Sequence, residues 1–265
     1  MDLNLKGRSV LVTGSSRGIG LAIAEAFAAE GCHLKLAARD ADRLKHVAGE
    51  IGRAHGVTVD TYPLDLSKYE CVVELGNSCR EVDILVNNAG GIPRGTLADV
   101  DSATWRRAWD LKVFGFIDLT RIILPQMCAR GSGSIVNVIG SAGERADPNY
   151  VAGCVGNAAL NMFVQCIGGE AVRHGVRVAA VNPGPIMTDR FMQGMLWRAE
   201  KRFGDSRRWP EILTTDLPIK RAGTPEEVAN TVVFLASDRA SYISGAAIRV
   251  DAGFLGSFKL TPETK

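Results

Sequence analysis

Little in the sequence points to metal, disulfide or polyelectrolyte chemistry. Its six cysteines, Cys32, Cys71, Cys79, Cys128, Cys154 and Cys166, form no CxxC pair and no Cys/His ligand spacing. That excludes the usual zinc patterns and leaves a reduced protein with no metal as the expectation. Charge of one sign is also missing. Against 31 Lys and Arg stand 29 Asp and Glu, a net charge of +2, so neither nucleic acid nor a membrane surface is an expected partner. Residues 1–6 show no basic region ahead of an apolar one, and no later apolar run reads as spanning length, so a cytoplasmic location is expected. Internal repeats and low-complexity segments are absent too, which removes solenoids and linkers from consideration.

Core-forming residues, by contrast, are plentiful. At 46% hydrophobic over 265 residues, the chain can bury the interior of one large α/β domain, taken as residues 1–265. Strand-like runs at 8–13, 33–38, 57–62, 83–87, 134–139, 176–182 and 247–250 alternate with helical segments, the signature of a parallel sheet covered on both faces. Several runs, such as Ile84-Leu85-Val86, are continuously apolar, as strands buried on both faces should be. Residues 185–220 interrupt the alternation. They are expected to form an irregular lid over the site.

Between the first strand and the first helix lies Thr13-Gly14-Ser15-Ser16-Arg17-Gly18-Ile19-Gly20. Ile19, Ala22, Ile23, Ala26 and Phe27 follow at helical spacing, so the glycines occupy a strand-to-helix turn. In that setting Gly14 allows the sharp turn, Gly18 lets backbone approach a pyrophosphate, and Gly20 lets helix and strand pack closely, with free N–H groups and the helix dipole facing the phosphates. The fold class that follows is α/β, a doubly wound Rossmann fold with a seven-stranded parallel sheet flanked by helices.

The spacing TGxxxGxG resembles the short-chain dehydrogenase/reductase family, and the resemblance runs through most of the chain: Asp65-Leu66, Asn87-Asn88-Ala89-Gly90, Asn182-Pro183-Gly184, then Ser244-Gly245 leading to Asp251. It implies a nicotinamide cofactor held by Gly14, Ser16, Arg17, Gly18, Ile19 and Gly20, with Asp65 and Leu66 cradling the adenine. It further implies that Asn88, Ala89 and Gly90 pass close under the ribose, small residues leaving room for the cofactor. Pro183, Gly184, Ile186 and Thr188 would lie beside the nicotinamide, the Thr188 hydroxyl binding carboxamide or phosphate. The tip of the second strand, Ala38-Arg39-Asp40, lacks the Asp that NAD-preferring relatives carry at position 38. Arg39 and Arg17 are then a guanidinium pair suited to the 2′-phosphate of NADP; alternatively Arg39 is a loop charge and Asp40 takes the ribose of NAD. Family surfaces over residues 105–130 and 225–250 imply a homodimer or homotetramer.

The catalytic signature is where the sequence departs from its relatives. The family moves a hydride between nicotinamide and a carbonyl or alcohol carbon while a Tyr handles the oxygen's proton, a Lys four residues later lowers that Tyr's pKa, a Ser polarises the carbonyl and an Asn anchors a water chain. Here the Ala158-Ala159-Leu160 register puts Gly153 at the Tyr position and Asn157 at the Lys position, while Lys112 stands where the Asn belongs. This reads as an exchange, the ammonium of Lys112 delivered from the neighbouring helix and Asn157 bonding the ribose; Lys112 as a surface or capping lysine is the other reading. Tyr150 is the one phenol near the vacated place, either a relocated acid or a wall of the pocket. It lies one helical turn from Gly153, and the lean of helical side chains toward the N-terminus would carry it away. Ser141 is expected at the mouth of the site, as the carbonyl-polarising hydroxyl or a loop cap. Cys154 lacks a nearby His and reads as a packed small residue.

The function expected is therefore an NADP-linked oxidoreductase acting on a carbonyl or secondary alcohol of a mainly apolar small molecule, with a rearranged proton-transfer site. A catalytically silent NADP-binding sensor is the alternative, and an oxidoreductase whose substrate needs no enzyme acid is a third.

Overall fold

In the computed structural model, which describes residues 2–257, the chain alternates strand and helix in the order β1 (Ser9–Thr13), α1 (Gly18–Ala29), β2 (His33–Ala38), α2 (Ala41–His55), β3 (Val59–Pro63), α3 (Tyr69–Ser78) and β4 (Ile84–Asn87). It continues through α4 (Ser102–Trp109), a π-helical turn (Asp110–Phe114), α5 (Gly115–Arg130), β5 (Gly133–Val138), α6 (Val151–Ala171), β6 (Val176–Pro183), α7 (Asp189–Phe203), α8 (Trp209–Asp216), α9 (Pro225–Ala236) and β7 (Ala247–Val250). The strands form one sheet in the order β3-β2-β1-β4-β5-β6-β7, every pairing parallel. The fold predicted from the alternation is therefore the fold observed. Met1 and residues 258–265 of the predicted domain lie outside the described residues.

Two buried layers clamp the sheet. On one face Val10, Val12, Leu34 and Val86 pack with Ile23 and Phe27 of α1 and Val228 and Val232 of α9. On the other, Leu11, Leu85 and Ile135 pack with Phe116 and Ile123 of α5 and Leu160 and Val164 of α6. Alternate residues of one strand feed opposite layers, which is why the strands are apolar throughout. The expectation that no apolar run reaches membrane-spanning length is corrected here: residues Val151–His174 are long and apolar enough by composition. The cause lies in packing, because α6 turns one side to the sheet and needs an apolar surface along its full length.

The strand order reverses direction between β1 and β4, so loops after these strands diverge and leave a crevice at their carboxyl ends. The region foreseen as irregular, residues 185–220, is instead two helices, α7 and α8, with a small core of Met195, Ala199, Ile212 and Leu213 flanked by Phe191, Phe203 and Trp209. The region looks irregular in sequence because its short helices pack on each other and not on the main core. Four of its arginines are ion-paired within the unit: Arg198 and Arg202 with Asp216, Arg207 with Asp205 and Arg208 with Glu211.

Candidate active site

The glycine turn is built as its residues dictate. Gly14 has φ 69° and Gly18 φ 57°, conformations that a side chain resists. A methyl on Gly14 would come 2.9 Å from Ala89 Cα, and one on Gly20 would overlap the Gly14 carbonyl oxygen. Helix α1 begins at Gly18 with no side chain capping it, so its first N–H groups are free for an anion. A methyl on Gly18 would stand 3.5 Å from Thr188 Cγ2; the turn and the segment after β6, far apart in the chain, therefore face each other. Shape and donor set fit a dinucleotide pyrophosphate.

Some cofactor candidates are committed elsewhere through their side chains. Asn88 Nδ2 donates to the carbonyls of Thr13 (3.0 Å) and Gly14 (3.3 Å), and the Asn88 and Ala89 N–H groups bond Thr13 Oγ1 at 2.9 and 3.1 Å. This pair therefore shapes the glycine turn. Asp65 Oδ1 accepts from Ser67 N and Oγ at 3.1 and 2.9 Å, and Leu66 is buried. The Thr188 hydroxyl caps α7 by accepting from Phe191 N at 3.3 Å. Gly184, whose added methyl would come 2.6 Å from Asp251 Cβ, packs against the turn after β7, while Ile186 is buried and bridges Gly223.

At the tip of β2, Arg39 and Arg17 are both exposed. Asp40, the carboxylate the alternative reading assigned to a ribose, caps α2, its Oδ1 accepting from Arg43 N at 3.0 Å. Arg43 escaped the sequence reading. Its Nε donates to the Ser16 carbonyl at 2.9 Å and ties α2 to the glycine turn; the Asp-x-x-Arg start of a capped helix was its only sequence signal.

On the catalytic side, a methyl on Gly90 would come 2.7 Å from Lys112 Cδ, so the side-chain direction of Gly90 is filled by the lysine stem. Lys112 sits in the π-helical turn, where an extra residue per turn re-aims side chains. Its Nζ donates to the carbonyls of Ile139 (2.6 Å) and Val138 (3.4 Å). Burial, and secondarily the charge of Arg190, pushes its pKa down to about 7. Lys112 is thus neither a surface nor a capping residue. Asn157, its partner in the proposed exchange, is buried; it faces Gly140, the next residue along, where a methyl would come 2.9 Å from Nδ2. Asn157 Oδ1 has no hydrogen-bond partner, an orphaned acceptor of the kind that a donor from a bound group would satisfy.

Two expectations about the neighbouring residues are corrected. Ser141 is 8% exposed, tucked into a 3₁₀ turn (Ser141–Gly143) rather than standing at an open mouth; Gly143 packs on the backbone of α6, where a methyl would come 2.7 Å from the Asn157 carbonyl carbon. Tyr150 does not lean away from Gly153. It is the N-cap of α6, with φ −147° and ψ 38°, so the helical lean does not apply, and its ring folds back over Gly153. A Cβ at 153 would overlap Cζ and Cε1 of that ring. The phenol therefore occupies the space in which a side chain at 153 would begin, and only glycine permits it.

Around the phenol, Ile92, Trp105, Trp109, Ala108 and Ala152 form an apolar cluster, with Trp109 Nε1 bonded to the Ala152 carbonyl at 3.1 Å. Arg94, paired with Asp147 at 2.6 Å, lies 5.2 Å from the Tyr150 ring centroid. Arg190, from the first turn of α7, donates to the Ile92 carbonyl. Neither arginine was singled out in the sequence, because both come from segments outside the recognised motifs. Burial raises the Tyr150 pKa, while Arg190 and then Arg94 pull it down. Cys154 Sγ rests 3.5 Å from the Arg145 carbonyl, a packed thiol as expected.

With this geometry in place, comparison with known proteins is informative. Residues 14–255 match the family model described as Enoyl-(Acyl carrier protein) reductase. The oxidoreductase YvrD of Bacillus subtilis strain 168 is 33% identical over 264 residues, 97% of this chain and all of that protein. Among solved structures, L-sorbose reductase from Gluconobacter frateurii, complexed with NADPH and L-sorbose, superposes with a TM-score of 0.91 at 36% identity, covering 97% of this chain and all of the other. A 7α-hydroxysteroid dehydrogenase complexed with NADH and 7-oxo glycochenodeoxycholic acid gives a TM-score of 0.84 at 29% identity over 95% of this chain and 96% of the other.

Proposed function

The chain belongs to the short-chain dehydrogenase/reductase family and is an NAD(P)-dependent oxidoreductase acting between alcohols and carbonyls, and we propose that it uses NADP on a mainly apolar small molecule with Tyr150 as its proton-transfer residue. The observation that carries the proposal is the Tyr150 ring lying over Gly153. Bound nicotinamide supplies or accepts the hydride. The Tyr150 hydroxyl gives its proton to the carbonyl oxygen in reduction and recovers it in oxidation, general acid–base help worth about 10²–10⁴ in rate. Ser141 polarises the same oxygen. Asn157 takes a sugar hydroxyl on its unpartnered Oδ1, and Lys112, by holding the carbonyls of Val138 and Ile139, fixes the turn that bears Ser141.

The NADP preference is supported at the tip of β2. Solved relatives are described with either cofactor, but here Arg17 and Arg39 are both exposed, and Asp40 caps α2 through Oδ1. Gly14, Ser16, Gly18, Ile19, Gly20, Asp65, Leu66, Asn88, Ala89, Gly90, Pro183, Gly184, Ile186 and Thr188 complete the cofactor site in this reading, several of them through backbone alone. The aromatic and aliphatic cluster about Tyr150 favours an apolar substrate body. Residues 1–265 are read as one domain with 185–220 as its lid, acting as a homodimer or homotetramer in the cytoplasm, where six free thiols stay reduced.

The test follows NADPH oxidation at 340 nm against a panel of aliphatic, alicyclic and sugar ketones, with NADPH affinity measured in parallel. Tyr150→Phe is expected to lower kcat/KM about 10²–10⁴-fold with NADPH affinity retained. Full activity of that variant refutes the acid role. Tight NADPH binding with no turnover of any ketone or secondary alcohol identifies the silent sensor instead.

A further inference from the structure

A half-buried phenol is a poor proton-transfer group unless a positive charge stabilises its anion. Desolvation disfavours the phenolate, and the residue at the family's Lys position, Asn157, has no charge to offset that. Four charged or titratable groups face the Tyr150 hydroxyl and ring. Arg94 comes from the loop after β4 and Cys154 from α6 itself; Arg190 comes from α7, and Asp147 stands behind Arg94. Arg94 is ion-paired with Asp147 at 2.6 Å, which cancels much of its field. Lys112 lies farther back, its ammonium held on two carbonyls of the turn after β5.

Arg190 differs from these. It makes no ion pair among the described residues. Its guanidinium is anchored on the Ile92 carbonyl, and Ile92 belongs to the same apolar cluster as Tyr150. One of its NH groups runs along Gly91, where an added methyl would stand 3.9 Å from Nη1. The cation therefore crosses from the lid helix to the loop after β4, beside the phenol.

We propose that Arg190 is a positioning residue acting through Tyr150: held by the Ile92 carbonyl, its guanidinium gives the phenol oxygen the positive neighbour that Asn157 cannot supply. Because Arg190 rides on the first turn of α7, proton-transfer competence is tied to the lid being in place. This rests on the reading of Tyr150 as the proton-transfer residue. It also assigns the lid a chemical part, beyond covering the substrate.

The experiment titrates the phenols of the full-length protein by phenolate ultraviolet difference absorbance, with NADPH present and absent, in wild type, Arg190→Gln, Arg190→Lys and Tyr150→Phe. Subtraction of the last isolates Tyr150 from the other three tyrosines. Arg190→Gln is expected to raise the Tyr150 midpoint by about one pH unit, a tenfold gain in proton affinity, and to move the basic side of the kcat–pH profile with it. Arg190→Lys should restore most of both. An unmoved midpoint in Arg190→Gln overturns the proposal, whatever happens to turnover, since loss of lid packing alone would lower activity without changing the titration. Full activity of Tyr150→Phe would sink the acid role, yet the midpoint in Arg190→Gln would still report the coupling. Arg190 is exposed, and circular dichroism on both arginine variants confirms folding.

Discussion

The two ends of the cofactor crevice follow different rules. Around β1, β2 and β4 the work is done by backbone: glycines with positive φ, an uncapped helix start, and side chains such as Asn88 and Thr13 turned inward to hold the turn. Around β5, α6 and α7 the proposed work falls to side chains, at positions other than those the family uses. In that proposal the phenol comes from 150 instead of 153 and the cation from 190 instead of 157, while the stem of Lys112 fills the space beside Gly90. Backbone recognition cannot be relocated without rebuilding the turn, whereas a functional group can arrive from any element that reaches the same point. Such a site is defined by where atoms converge.

The comparison breaks most readily at Gly153. Gly153→Ala places a methyl inside the Tyr150 ring and must displace the phenol, so kcat/KM for NADPH-dependent ketone reduction is expected to fall about 10²-fold, the scale set by an ångström of misplacement. NADPH affinity should stay unchanged. A fully active Gly153→Ala would show that the phenol's place over Gly153 is unimportant.

At the other end, Arg39→Gln is expected to lower the ratio of NADPH to NADH affinity about tenfold, as loss of one charge-assisted contact implies. Isothermal titration with both cofactors reads it directly, and an unchanged ratio would return Arg39 to being a loop charge.

Lys112 sharpens the contrast through pH. Its folded pKa is near 7 against an ordinary lysine value of about 10.4 when unfolded. Between these values the unfolded chain binds more protons, so this group makes stability rise with pH, by about 1.4 kcal/mol per unit where the difference is complete. Below pH 7 both states are protonated and the cost of the buried charge is borne in full. Urea titrations at pH 6, 8 and 9 should show wild type gaining on Lys112→Met as pH rises. Parallel pH dependence in the two proteins would mean that Lys112 is not desolvated.

How much was legible follows the same division. The seven strands and the doubly wound class could be anticipated because apolar runs, their alternation with helices and glycine spacing are local signals, and Lys112 and Tyr150 were visible as residues out of place. Their surroundings were not. That Gly90 accommodates Lys112, that Ser141 is buried, and that residues 185–220 coil into two helices with their own core all depend on neighbours distant in the chain. The lean expected of Tyr150 failed for a local reason: it caps its helix instead of belonging to it.

By itself, then, the sequence determined the seven-stranded doubly wound fold, the dinucleotide turn and the absence of the usual Tyr and Lys at 153 and 157. These are properties of short-range pattern, periodicity of 2 and 3.6 and glycines where φ must be positive. Only the tertiary structure decided that Gly153 makes room for Tyr150, that Arg43 ties α2 to the glycine turn and that Arg190 reaches the Ile92 carbonyl. Those facts are distances between segments remote in sequence, and no periodicity carries them because the sheet and α7 bring their elements together only when the whole chain has packed.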